Sequence, residues 1–293
     1  MGAFAYLAPK TLVEAMAALA GATENSGRAQ VLAGGTDLLV QLRTVDRAPR
    51  TIVDIKGLPE TNRLEIGREH TFIGAAISSA VLNENGKLKS MFPGLLEAAD
   101  LIGSTQIQGR ATLGGNLCNA SPAGDSIPAM IASEAVCVIA GPGGERELPV
   151  EAFVTGVGKN ALEKGELLLG LRLANPGPGT GDAYLRFIPR TEMDIAVAGC
   201  GVRLVLDDSG VCTAARVSIG AVAPTALLVT AAANALIGTK VDEEALAAAG
   251  RACSAASSPI TDKRGTVDYR RKIVAVLCRR AGALARDRAL AGR

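Results

Sequence analysis

The chain has 293 residues, 48% of them apolar, with 31 Lys and Arg against 29 Asp and Glu for a formal net charge of +2. That length gives room for a substantial core and favours two domains over one, while the near-neutral charge, 3% aromatic content and absence of tryptophan exclude nucleic acid as the main partner. No run approaches the roughly 18 uninterrupted apolar residues of a membrane span, and Met1-Gly2-Ala3-Phe4-Ala5-Tyr6 lacks the basic start and apolar stretch of a signal peptide, so a cytoplasmic protein is expected.

Residues 11–20 read as a helix, with Thr11 as N-cap, Glu14 at the capping-box position and Gly21 as the stop. Gln30 to Ala33 form a short strand running into Ala33-Gly34-Gly35-Thr36-Asp37, and Leu38 to Arg43 a short helix. Thr51–Ile55 and Phe72–Ala75 are further strands. This strand–loop–helix rhythm describes a small α/β unit of about 55 residues. Pro93–Ile102 is a helix with Pro93 in its first turn, an apolar stripe at Leu95, Ala98, Ala99 and Ile102, and Gly103 at its end. A second glycine segment, Thr112-Leu113-Gly114-Gly115-Asn116, follows. Ser126–Ala135 is helical, and the strand Val136–Ile139 leads into a hairpin-like Gly141-Pro142-Gly143-Gly144.

Asn175 to Asp182, rich in Pro and Gly, reads as the linker. Beyond it, strands Ala196–Leu206 and Ala215–Ala221 are joined by the turn Asp207-Asp208-Ser209-Gly210. The remainder from Pro224 to Leu290 is alanine-rich and mostly helical. Its last helix, Tyr269 to Leu290, carries Arg270, Arg271, Lys272, Arg279, Arg280, Arg286 and Arg288, which read as a solvated basic face rather than a partner-binding one.

The side chains that carry chemistry are few. The six cysteines are scattered with no C-x-x-C spacing, so neither a structural zinc nor an iron–sulfur cluster is expected, and free thiols are the default. The single histidine, His70, enters an apolar strand and reads as a surface or strand-edge residue, since no nucleophile motif accompanies it. No G-x-G-x-x-G follows a strand, Gly158-Lys159 lacks the rest of a Walker A loop, and Asp207-Asp208 and Glu243-Glu244 sit in turn or helix-start contexts. No catalytic or metal residue is expected; redox chemistry here needs an organic cofactor.

The two glycine segments stand out by their flanks. With 34 glycines, roughly four Gly-Gly pairs arise by chance at this enrichment, and the chain has three. Each of these two also combines a hydroxyl residue and a short polar side chain with its pair. Bare backbone N–H groups in such loops approach anions closely. Closed on one site, two of them hold a diphosphate without a lysine, each bond to charged oxygen contributing roughly 1.5–3 kcal/mol.

Val31-Leu32-Ala33-Gly34-Gly35-Thr36-Asp37-Leu38 and Gln108-Gly109-Arg110-Ala111-Thr112-Leu113-Gly114-Gly115-Asn116-Leu117 resemble the two FAD-pyrophosphate loops of the molybdenum hydroxylase flavoprotein subunits. The second continues as Asn119-Ala120-Ser121-Pro122-Ala123-Gly124-Asp125, similar to that family's run ending in an FAD-contacting aspartate. Arg190-Thr191-Glu192-Met193-Asp194-Ile195-Ala196, Ser218 to Thr225 and Asp268-Tyr269-Arg270-Arg271 resemble its C-terminal domain.

The resemblance implies an α+β protein with a two-part PCMH/VAO-type FAD-binding domain over 1–176 (subdomains about 1–56 and 57–176). A C-terminal domain over 182–293 follows, a small antiparallel sheet packed with helices. It places residues 31–38 and 112–116 around the pyrophosphate and ribityl chain of a non-covalent FAD, and Ile102 beside the flavin. It also makes Asp125 a polar contact, Leu168 an apolar wall, and Arg186 the cation at a position usually held by lysine.

Some relatives insert a four-cysteine iron–sulfur loop after the second motif. Here only Cys118 and Cys137 lie nearby, and no cluster is expected. The implied function is an oxidoreductase subunit. Its FAD takes electrons from a two-[2Fe-2S] small subunit, a molybdopterin-binding large subunit oxidises the substrate, and NAD, a quinone or oxygen is the final acceptor. A dimer of heterotrimers is implied. The competing readings are a stand-alone flavin oxidoreductase on the same fold and a non-redox scaffold subunit.

Overall fold

Three main sheets, each with its own helices, follow one another along the computed structural model, which describes residues 4–21, 28–44, 49–190 and 193–292. Thr191 and Glu192, in one of the family-like stretches, lie outside the described residues.

The first sheet is parallel, in the order β1 (Phe4–Leu7), β3 (Arg50–Asp54), β2 (Arg28–Leu32). Helices α1 (Leu12–Ala20) and α2 (Leu38–Thr44) make the crossovers that parallel pairing requires. The α1 cap forms as the sequence specifies: Thr11 Oγ1 accepts from the Glu14 N–H at 3.2 Å, while the Glu14 carboxylate reaches the Lys10 N–H at 2.7 Å. Strand β1 was not foreseen; all four of its residues are exposed, so it shows no apolar alternation.

The second sheet is antiparallel, in the order β4-β5-β10-β6-β7. Its strands are β4 (Leu64–Ile66), β5 (His70–Gly74), β6 (Val136–Gly141), β7 (Gly144–Pro149) and β10 (Leu167–Ala174). The short α3 (Pro59–Asn62) leads into it, and α10 (Val150–Phe153) with the small hairpin β8 (Val154–Gly156) and β9 (Lys159–Asn160) precedes β10. Between β5 and β6 run α4 (Ser79–Glu84), α5 (Gly86–Met91), α6 (Pro93–Asp100), α7 (Thr105–Gln108), α8 (Leu113–Asn119) and α9 (Ser126–Ala132). Strand β5 therefore belongs here and not to the first α/β unit: it pairs with β10, Gly74 opposite Gly170. Leu95, Leu113, Leu117, Met130 and Leu171 anchor the core of this part. A separate apolar cluster of Ala15, Val53, Leu58, Phe72, Leu167 and Leu169 welds the first sheet onto the second.

The third sheet, antiparallel β11-β12-β13-β14, comprises Thr180–Phe187, Ala198–Leu206, Cys212–Gly220 and Leu227–Leu228. Three helices back it: α11 (Thr230–Leu236), α12 (Glu243–Ala256) and α13 (Val267–Ala291). No described helix is long and apolar enough to cross a membrane.

Two expectations need correction. The linker is shorter than its composition suggests, because β11 begins at Thr180. Gly181 is glycine for packing: a Cβ there would stand 2.1 Å from the Ala285 carbonyl oxygen of α13. Nor is the basic face of α13 simply solvated. Arg270, 4% exposed, donates to the carbonyls of Val197 and Ala221 and pairs with Asp262 at 2.8 Å. Arg286 donates to the Val241 carbonyl, and Arg288 to the Asp182 carbonyl while pairing with Glu97. A guanidinium presents several donors in a fixed fork, so this helix uses its arginines to bind unpaired carbonyls and to hold the third sheet against α6.

Candidate functional site

The first glycine segment is the turn from β2 into α2, and the second is the start of α8. Gly35 takes φ +79, the left-handed region that favours glycine. Gly34 is pressed against the other segment: a Cβ would stand 1.9 Å from the Arg110 carbonyl oxygen. Thr112 caps α8, its hydroxyl accepting from the Gly115 N–H at 2.8 Å. Gly114 lies on Ala75, where a Cβ would meet the carbonyl oxygen at 2.7 Å. The Ser79 N–H donates to the Ala111 carbonyl at 2.8 Å, and the Gln41 amide to Asn119 Oδ1 at 3.1 Å. The loops are thus clamped to each other and to the chain that follows β5.

Between them opens a cleft of about 350 Å³, within the range of small-molecule sites. Val31, Ala33, Gly34, Gly35, Thr36, Asp37 and Leu38 line one side, and Thr112, Gly114, Gly115 and Asn116 another. Among the described residues, the backbone N–H groups from Gly34 to Leu38 and that of Gly114 meet no acceptor, while the antiparallel bridge between Ser78 and Thr112 turns Leu113 away from the cleft. Ser126 donates to Asn116 Oδ1 at 2.7 Å, which leaves the Asn116 amide donors without a partner among the described residues. Ile102, Leu167 and Leu168 provide apolar wall. Burial pushes the Asp37 carboxyl above its ordinary value, so it carries its negative charge less readily than a solvated aspartate.

Four of the expected residues lie off this lining. Leu113 is buried in the core, and Leu32 does not reach the cleft. Asp125 and Arg186 pair with each other across the junction between α9 and β11, Arg186 Nη1 standing 2.5 Å from Asp125 Oδ2. The Tyr184 hydroxyl donates to Asp125 Oδ1 at 3.1 Å. Burial pushes the Asp125 carboxyl up, and the charge of Arg186 and the Tyr184 hydroxyl pull it back. Arg186 Nε is buried with no partner among the described residues, a donor left over at this junction.

Other lining residues were not foreseen: Arg28, Gln30, Gln41, Cys118, Asn119, Gly158 and Asn160 among them. The last two come from the β8–β9 hairpin, tied to α8 where Asn160 donates to the Cys118 carbonyl at 2.9 Å and Gly158 N–H to that of Ala120. The run Gly156-Val157-Gly158-Lys159-Asn160 signals a turn but not what the turn packs on. His70 is exposed at the start of β5 and is not in the cleft.

A group with a diphosphate and a flat apolar ring fits this donor set: neutral N–H groups converge where glycine alone gives clearance, beside an aliphatic wall.

Comparison with known proteins agrees with that chemistry. Residues 2–176 match the family described as the FAD binding domain in molybdopterin dehydrogenase, and residues 183–284 the CO dehydrogenase flavoprotein C-terminal domain. The carbon monoxide dehydrogenase medium chain of Hydrogenophaga pseudoflava is 33% identical over 95% of both chains. The xanthine dehydrogenase FAD-binding subunit of Escherichia coli O157:H7 is 35% identical over 73% of each. Among solved structures, carbon monoxide dehydrogenase from H. pseudoflava superimposes with a TM-score of 0.92, at 34% identity and 98% coverage of both chains. Quinoline 2-oxidoreductase from Pseudomonas putida 86 does so with 0.89 at 25% identity, again over 98% of each. This chain belongs to the FAD-binding flavoprotein family of the molybdopterin dehydrogenases, oxidoreductases that include the carbon monoxide and xanthine dehydrogenases.

Proposed function

We propose that this protein is the FAD-carrying electron-transfer subunit of a cytoplasmic molybdenum-containing hydroxylase or dehydrogenase. It would take electrons from the [2Fe-2S] clusters of a small partner subunit and pass them to NAD, a quinone or oxygen, while a molybdopterin-binding large subunit oxidises the substrate. Such chains would assemble as a dimer of heterotrimers. The observation that carries the reading is the closure of two glycine segments on one cleft, with the N–H groups of Gly34 to Leu38 and of Gly114 unpaired among the described residues.

Bound there, FAD supplies the electron exchange that no side chain of this protein provides. The work of the chain is to hold it. The N–H groups of 34–38 and of Gly114 would meet the diphosphate oxygens, and Asn116 offers amide donors beside them. Ile102, Leu167 and Leu168 exclude water from the ring. Asp125 and Arg186 would contact the cofactor from the junction side, where Arg186 Nε is the unspent donor. Attachment would be non-covalent: His70 is outside the cleft, and burial pushes the Cys118 thiol up to about 12, far from a reactive thiolate.

The purified chain is expected to show a visible flavin spectrum, to release about one FAD per chain on acid precipitation, and to lack hydroxylase activity without its partners. A colourless protein that takes up no added FAD would sink the reading in favour of a scaffold. Hydroxylase activity of the isolated chain would favour the stand-alone enzyme.

A further inference from the structure

Three cysteines far apart in the sequence meet in the C-terminal half. Cys200 lies on β12, Cys253 on α12 and Cys278 on α13, and their Sγ atoms all fall within 4.8 Å of one another. All three are free thiols, 0%, 0% and 1% exposed, inside an apolar cluster with Ala198, Val202, Ala249, Val274 and Ala281. A single buried cysteine is an ordinary small apolar residue. Three converging from a strand and two helices make a set of soft donors.

We propose that Cys200, Cys253 and Cys278 form a three-sulfur site for a soft monovalent cation, Cu(I), that pins α12 and α13 to the third sheet. The spacing allows it. A metal roughly 2.3 Å from each sulfur, in a trigonal plane, needs sulfurs about 4 Å apart, inside the 4.8 Å within which all three lie. The donor set selects the ion. No carboxylate or imidazole joins the three sulfurs among the described residues. Oxygen-seeking cations therefore find no ligand, and zinc, four-coordinate in nearly all structural sites, is left one ligand short where water does not reach. Soft thiolate sets favour Cu(I). Thiolate is the ligating form, so Cu⁺ displaces thiol protons: each Cu–S bond made to a thiolate releases one proton, with no change of oxidation state. None of the three cysteines lines the cleft, so the site does not depend on the proposed cofactor role.

The test uses the full chain, reduced and oxygen-free, with Cu(I) supplied from a competing chelator such as bathocuproine disulfonate. One Cu(I) per chain should survive desalting, raise the melting temperature, and show three sulfur ligands by X-ray absorption. Cys200→Ser and Cys278→Ser should each lose it, whereas Cys212→Ala, buried elsewhere in β13, should keep it. Should the serine variants not fold, the ligand count in the unaltered protein decides. Complete loss of copper to the chelator, nitrogen or oxygen ligands, full retention by Cys278→Ser, or equally firm retention of Zn(II) would each overturn the proposal.

Discussion

Replacing Gly34 with alanine tests the two-loop cradle at its tightest point. The added methyl would stand 1.9 Å from the Arg110 carbonyl oxygen and 2.7 Å from its carbonyl carbon, whereas ordinary contact begins near 3.4 Å. Both obstacles are backbone, so no rotamer change relieves them, and one loop must retreat by about 1.5 Å. A hydrogen bond near 2.9 Å lengthened by that much no longer exists. Losing two N–H bonds to charged phosphate oxygens, at about 1.5–3 kcal/mol each, costs roughly 3–6 kcal/mol. That weakens FAD binding by on the order of 10²- to 10⁴-fold. The assay is titration of the apo-protein with FAD, read by quenching of flavin fluorescence. Gly143→Ala is the control, since a Cβ there meets nothing within 4 Å and the residue belongs to the third glycine pair. Far-ultraviolet circular dichroism of both variants should stay that of the parent. An affinity of Gly34→Ala within threefold of the parent, or an equal loss in Gly143→Ala, would refute the reasoning.

Two further outcomes follow from buried charge. Arg186→Met strands Asp125 in the junction with only Tyr184 as a partner, and should cost about 3–5 kcal/mol in urea unfolding; the double variant with Asp125→Leu should cost less than the single one, and a change under about 1 kcal/mol would show that the pair is not a structural bridge. Asp182 accepts the Gly94 N–H at 3.0 Å, and its carboxyl is pushed from 3.8 up to about 6 by burial, against the opposing pull of Arg203. The folded chain then holds a proton that the unfolded chain has released, so this group's contribution to stability is full below about pH 4 and is lost as pH rises to about 6. Asp182→Asn keeps an acceptor for Gly94 and should flatten that slope; parallel stability curves for variant and parent between those pH values would rule the assignment out.

What the sequence disclosed and what it concealed divide by distance along the chain. The cap at Thr11 and the turn at Gly35 are interactions among residues within three or four positions, and they formed as their chemistry dictates, whereas the stretch that Thr112 caps as a helix read as a loop. Most of the cleft was legible for the same reason, because each glycine loop carries its own donors. The Asp125–Arg186 pair spans 61 positions, and nothing local to either residue announces it. The cysteines that read as scattered are brought together only by the packing of α12 and α13 on β12. Gly181 looked like a flexible linker residue because composition does not distinguish a glycine that bends from one that lets a helix approach. The arginines of α13 misled in a similar way: their spacing shows a basic face, but not the orphan carbonyls of Val197, Ala221, Val241 and Asp182 that occupy it.

The shape of the cradle also determines where its sensitivity lies. A lysine that holds a phosphate tolerates small backbone shifts, because its four-carbon stem can follow the ligand. An N–H group has no stem, so its position is the position of the chain. Arg28 is the one cationic side chain among the described residues lining the cleft, which in the proposed site would leave the diphosphate chiefly to backbone donors. In the proposed site, affinity would therefore depend on contacts within the protein: Gly34 on Arg110, Gly114 on Ala75, Ser79 to Ala111, and Gln41 to Asn119. Each fixes one loop against another element, and each belongs to the binding site as much as the N–H groups it positions.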